Sequence, residues 1–168
     1  MRVSLKVLVK GFAFGMLAMS AAAAMGVSGA VAQSAAKPTK VFFMCPHGAG
    51  KSVLASAYFQ RLAKERGLNV VVDAGGTEPD PAVSPAVADH LKKNGYAVPV
   101  AKPRLVTPKD LENADIVVSL GCDMKGLPAP KGRLLTWDVP GPGENLAASS
   151  EAIRKHAEEL VEQLASVK

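Results

Sequence analysis

The chain alternates short uninterrupted apolar runs with longer segments whose apolar residues recur every three or four positions. Val41-Phe42-Phe43-Met44 has no polar break, the pattern of a strand buried on both faces. Gly48 and Gly50 interrupt it, and from Ser52 to Arg66 the residues Leu54, Tyr58 and Leu62 fall on one helical face. Leu68 to Val72 is a second β-prone run, closed by Asp73-Ala74-Gly75-Gly76. Ser84-Pro85 reads as the cap and first-turn proline of a helix with Val83, Val87 and Leu91 at four-residue intervals, and Gly95 as its stop. Thr107-Pro108-Lys109-Asp110 has capping-box spacing and predicts a short helix through Asn113. Ile116-Val117-Val118 and Leu134 to Val139 supply two more strand cores, and Pro140-Gly141-Pro142-Gly143 is compatible only with loop. A last helix, Ser150 to Val167, carries Ile153, Ala157, Leu160, Val161 and Leu164 on one stripe. Strands alternating with helices predict an α/β domain: a four-stranded parallel sheet flanked by helices on both faces.

The first 32 residues follow a different grammar. Arg2, Lys6 and Lys10 precede an uncharged, alanine-rich run from Gly11 to Ala32, and Ala30-Val31-Ala32 offers small residues for cleavage before Gln33. The expectation is a secretory signal at 1–32, a flexible lead at 33–40, and one domain over 41–168 in the periplasm or secreted, with no stable membrane association once the signal is removed. Three basic residues and no acidic ones leave with the signal, so the remaining chain carries +2 rather than the +5 of the whole. No block of lysine or arginine interleaves with aromatics, and nucleic acid is not an expected partner. Two cysteines do not make a disulfide-rich scaffold, so packing must supply the stability.

Candidate chemistry gathers where the first strand meets the first helix. Cys45, Pro46, His47, Gly48, Ala49, Gly50, Lys51 and Ser52 form a loop whose successive N–H groups can point inward beside the unpaired donors and positive dipole end of a helix start. Such a loop suits a phosphate-sized anion. Lys51 adds a charge and Ser52 a hydroxyl, and the positive field favours a nucleophilic role for Cys45. Gly50-Lys51-Ser52 also fits the end of a nucleotide-binding Walker loop, but Cys45 stands where that signature requires its first glycine. Cys45, His47 and Cys122 could contribute to a soft-metal site; Cys-x-His at a strand-loop junction does not aim both side chains at one point, so no metal is assigned.

The Cys45-x5-Lys51-Ser52 loop resembles the cysteine-x5-arginine-serine signature of the low-molecular-weight protein tyrosine phosphatases and the related thioredoxin-coupled arsenate reductases. Ala74-Gly75-Gly76-Thr77-Glu78-Pro79-Asp80 is similar to the segment after their second strand, and Pro85 through Gly95 to the helix that follows. Arg104-Leu105-Val106-Thr107-Pro108 with Leu111, and Ala114-Asp115-Ile116-Val117-Val118, also follow the family pattern. Trp137 and the proline-rich stretch after it occupy the place of the family's acid loop. The resemblance covers nearly all of residues 40 to 167 and implies a three-layer sandwich of the low-molecular-weight phosphatase type.

The same resemblance implies that Cys45 attacks phosphorus or arsenic, that Ser52 hydrogen-bonds it and that Lys51 holds the clamp position. Lysine keeps the charge of the family's arginine without its planar bidentate fork. Gly48 replaces a usual asparagine, and Gly141 replaces the aspartate that serves as general acid before a proline; Asp138 is the nearby substitute. Cys122 matches the first relay cysteine of the reductases, but no second one follows in Asp123 to Pro130, so a disulfide could join only Cys45 and Cys122. The implied function is a Cys-dependent phosphatase or arsenate reductase of low activity, acting on phosphate, arsenate or a phosphorylated substrate. No cofactor is expected beyond an external thiol reductant, for which a periplasmic thiol partner is the candidate. The alternative is a noncatalytic module that binds oxyanions or another protein.

Overall fold

Val41 to Met44 lie in β1 (Thr39–Cys45), an interior strand whose side chains are covered on both faces. The computed structural model describes residues 37–167, so the signal assigned to 1–32 and the first half of the lead, 33–36, lie outside the described residues. The remaining elements are α1 (Lys51–Glu65), β2 (Val70–Gly76), α2 (Pro85–Lys93), α3 (Pro108–Asn113), β3 (Ile116–Ser119), β4 (Arg133–Thr136) and α4 (Leu146–Ser166). The four strands form one sheet in the order β2-β1-β3-β4, and every neighbouring pair is parallel.

Alternation along β1 sorts the side chains into two cores. Val41, Phe43 and Cys45 face a cluster built with α1, α2 and α4, whereas Phe42 and Met44 face Val106, Leu111, Ala114 and Val117 around α3. This is the expected sheet with helices on both faces. Helix α1 sits deepest: Ser52 through Phe59 are all buried, so its first two turns have no solvent face. Phe43 packs on Phe59 and Trp137 with ring centroids 5.6 Å apart, and Trp137 stacks on His156 at 5.2 Å.

Element ends differ from the sequence reading in instructive ways. Thr39 and Lys40 belong to β1 rather than to the lead. β2 runs on through Asp73 to Gly76, because Phe42 to Cys45 of β1 pair with that segment residue for residue. β4 stops at Thr136, before Trp137. α4 starts at Leu146 instead of Ser150, since the Asn145 side chain accepts the Ala148 N–H at 3.0 Å and caps it. Ser84 begins α2 without a side-chain cap bond. At α3 the capping box forms, with Asp110 accepting from the Thr107 N–H at 2.8 Å.

Three helices are tied by a buried polar knot. The Tyr58 hydroxyl lies 2.5 Å from Ser150 Oγ and 3.1 Å from His90 Nε2, and His90 Nε2 is 2.9 Å from Ser150 Oγ. Removing one member leaves buried groups short of a partner. Tyr58→Phe is expected to lower unfolding free energy by about 1–3 kcal/mol, read from urea denaturation midpoints.

Candidate functional site

β1 ends on Cys45, which pairs in register with Gly76 of β2. The Cys45 side chain is 3% exposed, and its Sγ lies 3.2 Å from Oγ of buried Ser52 in the first turn of α1. Between them the backbone turns its carbonyls outward. Those of Pro46, His47 and Ala49 accept the N–H groups of Glu78 at 2.8 Å, Asp80 at 3.0 Å and Ser84 at 3.0 Å. In a trans peptide the carbonyl and the following N–H point in opposite directions. The N–H groups of His47, Gly48 and Gly50 are therefore turned away from those partners, toward the inside of the loop. They join the unpaired first-turn donors of α1, a turn that holds no acidic side chain to offset the positive end of the helix.

The loop closes because glycine backbones meet. Gly48 has φ +62°, the left-handed region, and a Cβ on it would come within 3.0 Å of the Gly76 nitrogen. A Cβ on Gly76 would fall 2.6 Å from the Gly48 nitrogen and 2.7 Å from the Pro46 oxygen. The loop from 45 to 52 is thus a cradle of inward N–H groups with a buried thiol at one end, an arrangement that can hold a tetrahedral oxyanion.

Lys51 and Cys122 approach from the end of β3. Lys51 is half-buried, and its Nζ stands 3.1 Å from where a Cβ on Gly121 would be. Cys122 is half-buried and, like Cys45, a free thiol; its backbone N–H donates to Ser119 Oγ at 3.3 Å. Burial pushes the Cys122 thiol up to about 11, and the neighbouring Cys45 adds to the rise, against hydrogen bonding from Ser119 and the charge of Lys51. Cys45 and Lys51 thus both act on Cys122 at the carboxyl ends of β1 and β3, the edge where parallel sheets carry their ligands.

His47 is exposed at the rim, with Nδ1 3.4 Å from Asp80 Oδ1. Asp138 is exposed between buried Trp137 and Val139, and no hydrogen bond or ion pair joins it to the loop among the described residues. What reaches the loop from that direction is Pro142, whose Cγ would lie 2.8 Å from a Cβ on Gly50. Sequence reading missed the pins at Glu78, Asp80 and Ser84, which act through backbone N–H and leave no mark in side-chain pattern. The Gly75-Gly76 pair was a signal for close approach, but not for what approaches. Among the described residues no group of three His, Cys, Asp or Glu side chains could hold a metal ion.

A parallel α/β sheet with a buried thiol opening an N–H cradle before its first helix defines a cysteine-based oxyanion-handling domain. Residues 40–167 match the Low molecular weight phosphotyrosine protein phosphatase family, and the chain belongs to it. That membership points to a Cys-dependent phosphatase or arsenate reductase. A Halobacterium salinarum protein provisionally named an arsenate reductase is 30% identical over 133 residues, which cover 78% of this chain and 94% of the relative. A thioredoxin-dependent arsenate reductase from Corynebacterium glutamicum superposes with a TM-score of 0.69 at 27% identity, covering 80% of this chain and 65% of that longer protein. An arsenate reductase from Archaeoglobus fulgidus superposes with a TM-score of 0.57 at 25% identity, covering 75% of this chain and 98% of its own.

The glycine contact gives a direct test. Gly76→Ala is expected to destabilise the protein by about 1–3 kcal/mol through overpacking against backbone that cannot yield. Titration calorimetry should show phosphate binding weakened at least about tenfold, the equivalent of ~1.4 kcal/mol.

Proposed function

We propose that the protein processes a tetrahedral oxyanion through Cys45, and that its reaction is arsenate reduction completed by Cys122. The observation that carries this reading is the pair of free thiols at the cradle, Cys45 within it and Cys122 close enough to feel its charge. The Cys45 thiolate attacks arsenic, an S–As bond forms, and one arsenate oxygen departs as water. Cys122, as thiolate, then attacks Cys45 Sγ. The S–As electron pair stays on arsenic, which leaves as arsenite, and the two sulfurs are oxidised to a disulfide that an external dithiol reduces. Phosphorus does not accept that pair, so with a phosphate ester the S–P bond is broken by water instead, and Cys122 is not needed. The names of the similar reductases support the arsenate reading.

A second reading, binding with little or no turnover, is favoured by Lys51. Its ammonium supplies a point charge against Gly121 but no planar fork to grip two oxygens of a transition state. Low activity is the form in which both readings meet.

Dithiol-supported arsenate reduction should vanish in Cys45→Ser and in Cys122→Ser. Phosphate binding should survive in Cys122→Ser; reduction by that variant at the wild-type rate would remove the relay. The raised Cys122 pKa means that near neutrality this residue is a thiol and must ionise to attack. Disulfide formation in a single arsenate turnover is expected to accelerate about tenfold per pH unit between about pH 7 and pH 9, followed by quenched thiol counting.

We also propose that the domain works outside the cytoplasm, on the strength of the charged start, apolar run and Ala30-Val31-Ala32 triplet. Amino-terminal sequencing of the protein from a periplasmic extract should begin at Gln33, and recovery only as uncleaved cytoplasmic chain would contradict it.

A further inference from the structure

β2 is an edge strand: β1 pairs with one side of it and its other side faces out. Bonds at its two ends fix the direction of its backbone groups. The Asn69 carbonyl turns inward to the Thr39 N–H at 2.9 Å, whereas the Gly76 N–H and carbonyl turn outward, to the Arg104 carbonyl and the Val106 N–H at 2.9 Å each. Backbone groups alternate sides along a strand, so those of Val70, Val72 and Ala74 face outward with those of Gly76. The carboxyl half of this edge is shut. Leu105 bridges to Gly76, and the Ala74 N–H donates at 2.7 Å to Oδ1 of Asp73, whose Oδ2 takes Arg104 Nη2 at 2.6 Å. The amino half is open. Among the described residues, no hydrogen bond reaches the outward groups of Val70 and Val72.

Sheet edges are commonly guarded by a lysine, a proline or a bulge, and this one presents Val70-Val71-Val72. The Val71 side chain is 49% exposed on the α3 face. On the other face, an open groove runs beside Val70 and Val72, bounded by Leu68 and by Gln60 and Lys64 of α1.

We propose that this edge joins two copies of the chain, β2 against β2 and antiparallel, about a twofold axis at Val71, so that one continuous sheet runs through both. In that register Val70 of each copy stands opposite Val72 of the other. Each such pair exchanges two N–H···O bonds, which uses every outward group of the open stretch. Between them Val71 meets its own counterpart as a non-hydrogen-bonded pair, the kind in which side chains come closest, and its exposed surface is covered. Flanking that pair on the same face, Asn69 stands opposite Asp73 of the second copy, an amide beside a carboxylate. The edge also fits a copy of itself in length. Ala74, closed by Asp73, falls opposite Leu68 of the second copy, which precedes β2 and follows the turn at Gly67, where φ is +63°. The second strand therefore ends where the block begins; a longer extended segment would run on into Arg104 and Leu105. The Val70 and Val72 side chains of the second copy enter the groove beside Gln60 and Lys64. Both cradles stay open, at opposite ends of the joint sheet, because the two sets of strands run in opposite directions.

Three valines a side make an interface smaller than those of stable dimers, which places the dissociation constant on the order of 10⁻⁴ M. Sedimentation velocity of the purified protein from about 10 μM to about 1 mM should therefore show monomer passing to dimer. Val71→Lys sets two ammonium groups against each other across the axis and should stay monomeric over that range, with the wild-type thermal midpoint at low concentration. The register is read separately. In a Cys45→Ser, Cys122→Ser background, mild oxidation should link Val71→Cys into a dimer and leave Leu134→Cys, on the opposite edge strand β4, unlinked. A wild type that stays monomeric throughout overturns the proposal and leaves the edge to an extended segment of another protein. A dimer that survives Val71→Lys, or that Leu134→Cys links and Val71→Cys does not, overturns it equally.

Discussion

The contact between the Gly76 backbone and residues 46–48 governs the site. It lets the loop after β1 come down on the end of β2, where Glu78 and Asp80 take the Pro46 and His47 carbonyls and Ser84, at the entrance to α2, takes that of Ala49. With carbonyls held outward, the N–H groups have one direction left to face. The cradle is in this sense a by-product of strand pairing: the register that sets Cys45 opposite Gly76 also sets the loop over the one stretch of β2 with no side chains to obstruct it. Backbone donors positioned this way need no reorganisation when an anion arrives, the condition under which such donors are most effective.

Around that cradle stand groups that attract an anion. The dipole of α1 and the Lys51 charge remain, and Ser52 stays within hydrogen-bonding distance of Cys45. A lysine attracts an anion from any direction, whereas the family's guanidinium also dictates how two oxygens lie. The two thiols sit in different environments. Cys45 ends a strand beside the inward N–H groups, while Cys122 is partly buried next to the apolar cluster around α3, and that burial raises its pKa.

The buried first half of α1 makes the geometry rigid. Ser52 cannot shift without disturbing Val53, Leu54 and Phe59, which are fully buried, and Ser56 Oγ bonds the Ser52 carbonyl at 2.8 Å. Packing of this density transmits small displacements instead of absorbing them. The knot of Tyr58, His90 and Ser150 ties α1 to the first turns of α4, just after the loop bearing Pro142 and Glu144. The cradle and the loop that rests on it thus share one support.

By itself the sequence determined the order of strands and helices, the two-sided burial of the sheet, the α3 capping box and the thiol-bearing loop before α1. Each is written in short-range periodicity or in a few adjacent residues, because a strand's alternation and a helix's turn are local properties. Tertiary structure alone decided the rest: that β2 extends to Gly76, that Asn145 starts α4 a turn early, that loop carbonyls face Glu78, Asp80 and Ser84, and that Pro142 comes to rest against Gly50. Those outcomes depend on partners distant in the chain, acting through backbone groups that every residue possesses. The orientation of a peptide plane leaves no trace in side-chain chemistry, and so the cysteine was legible while the cradle that surrounds it was not.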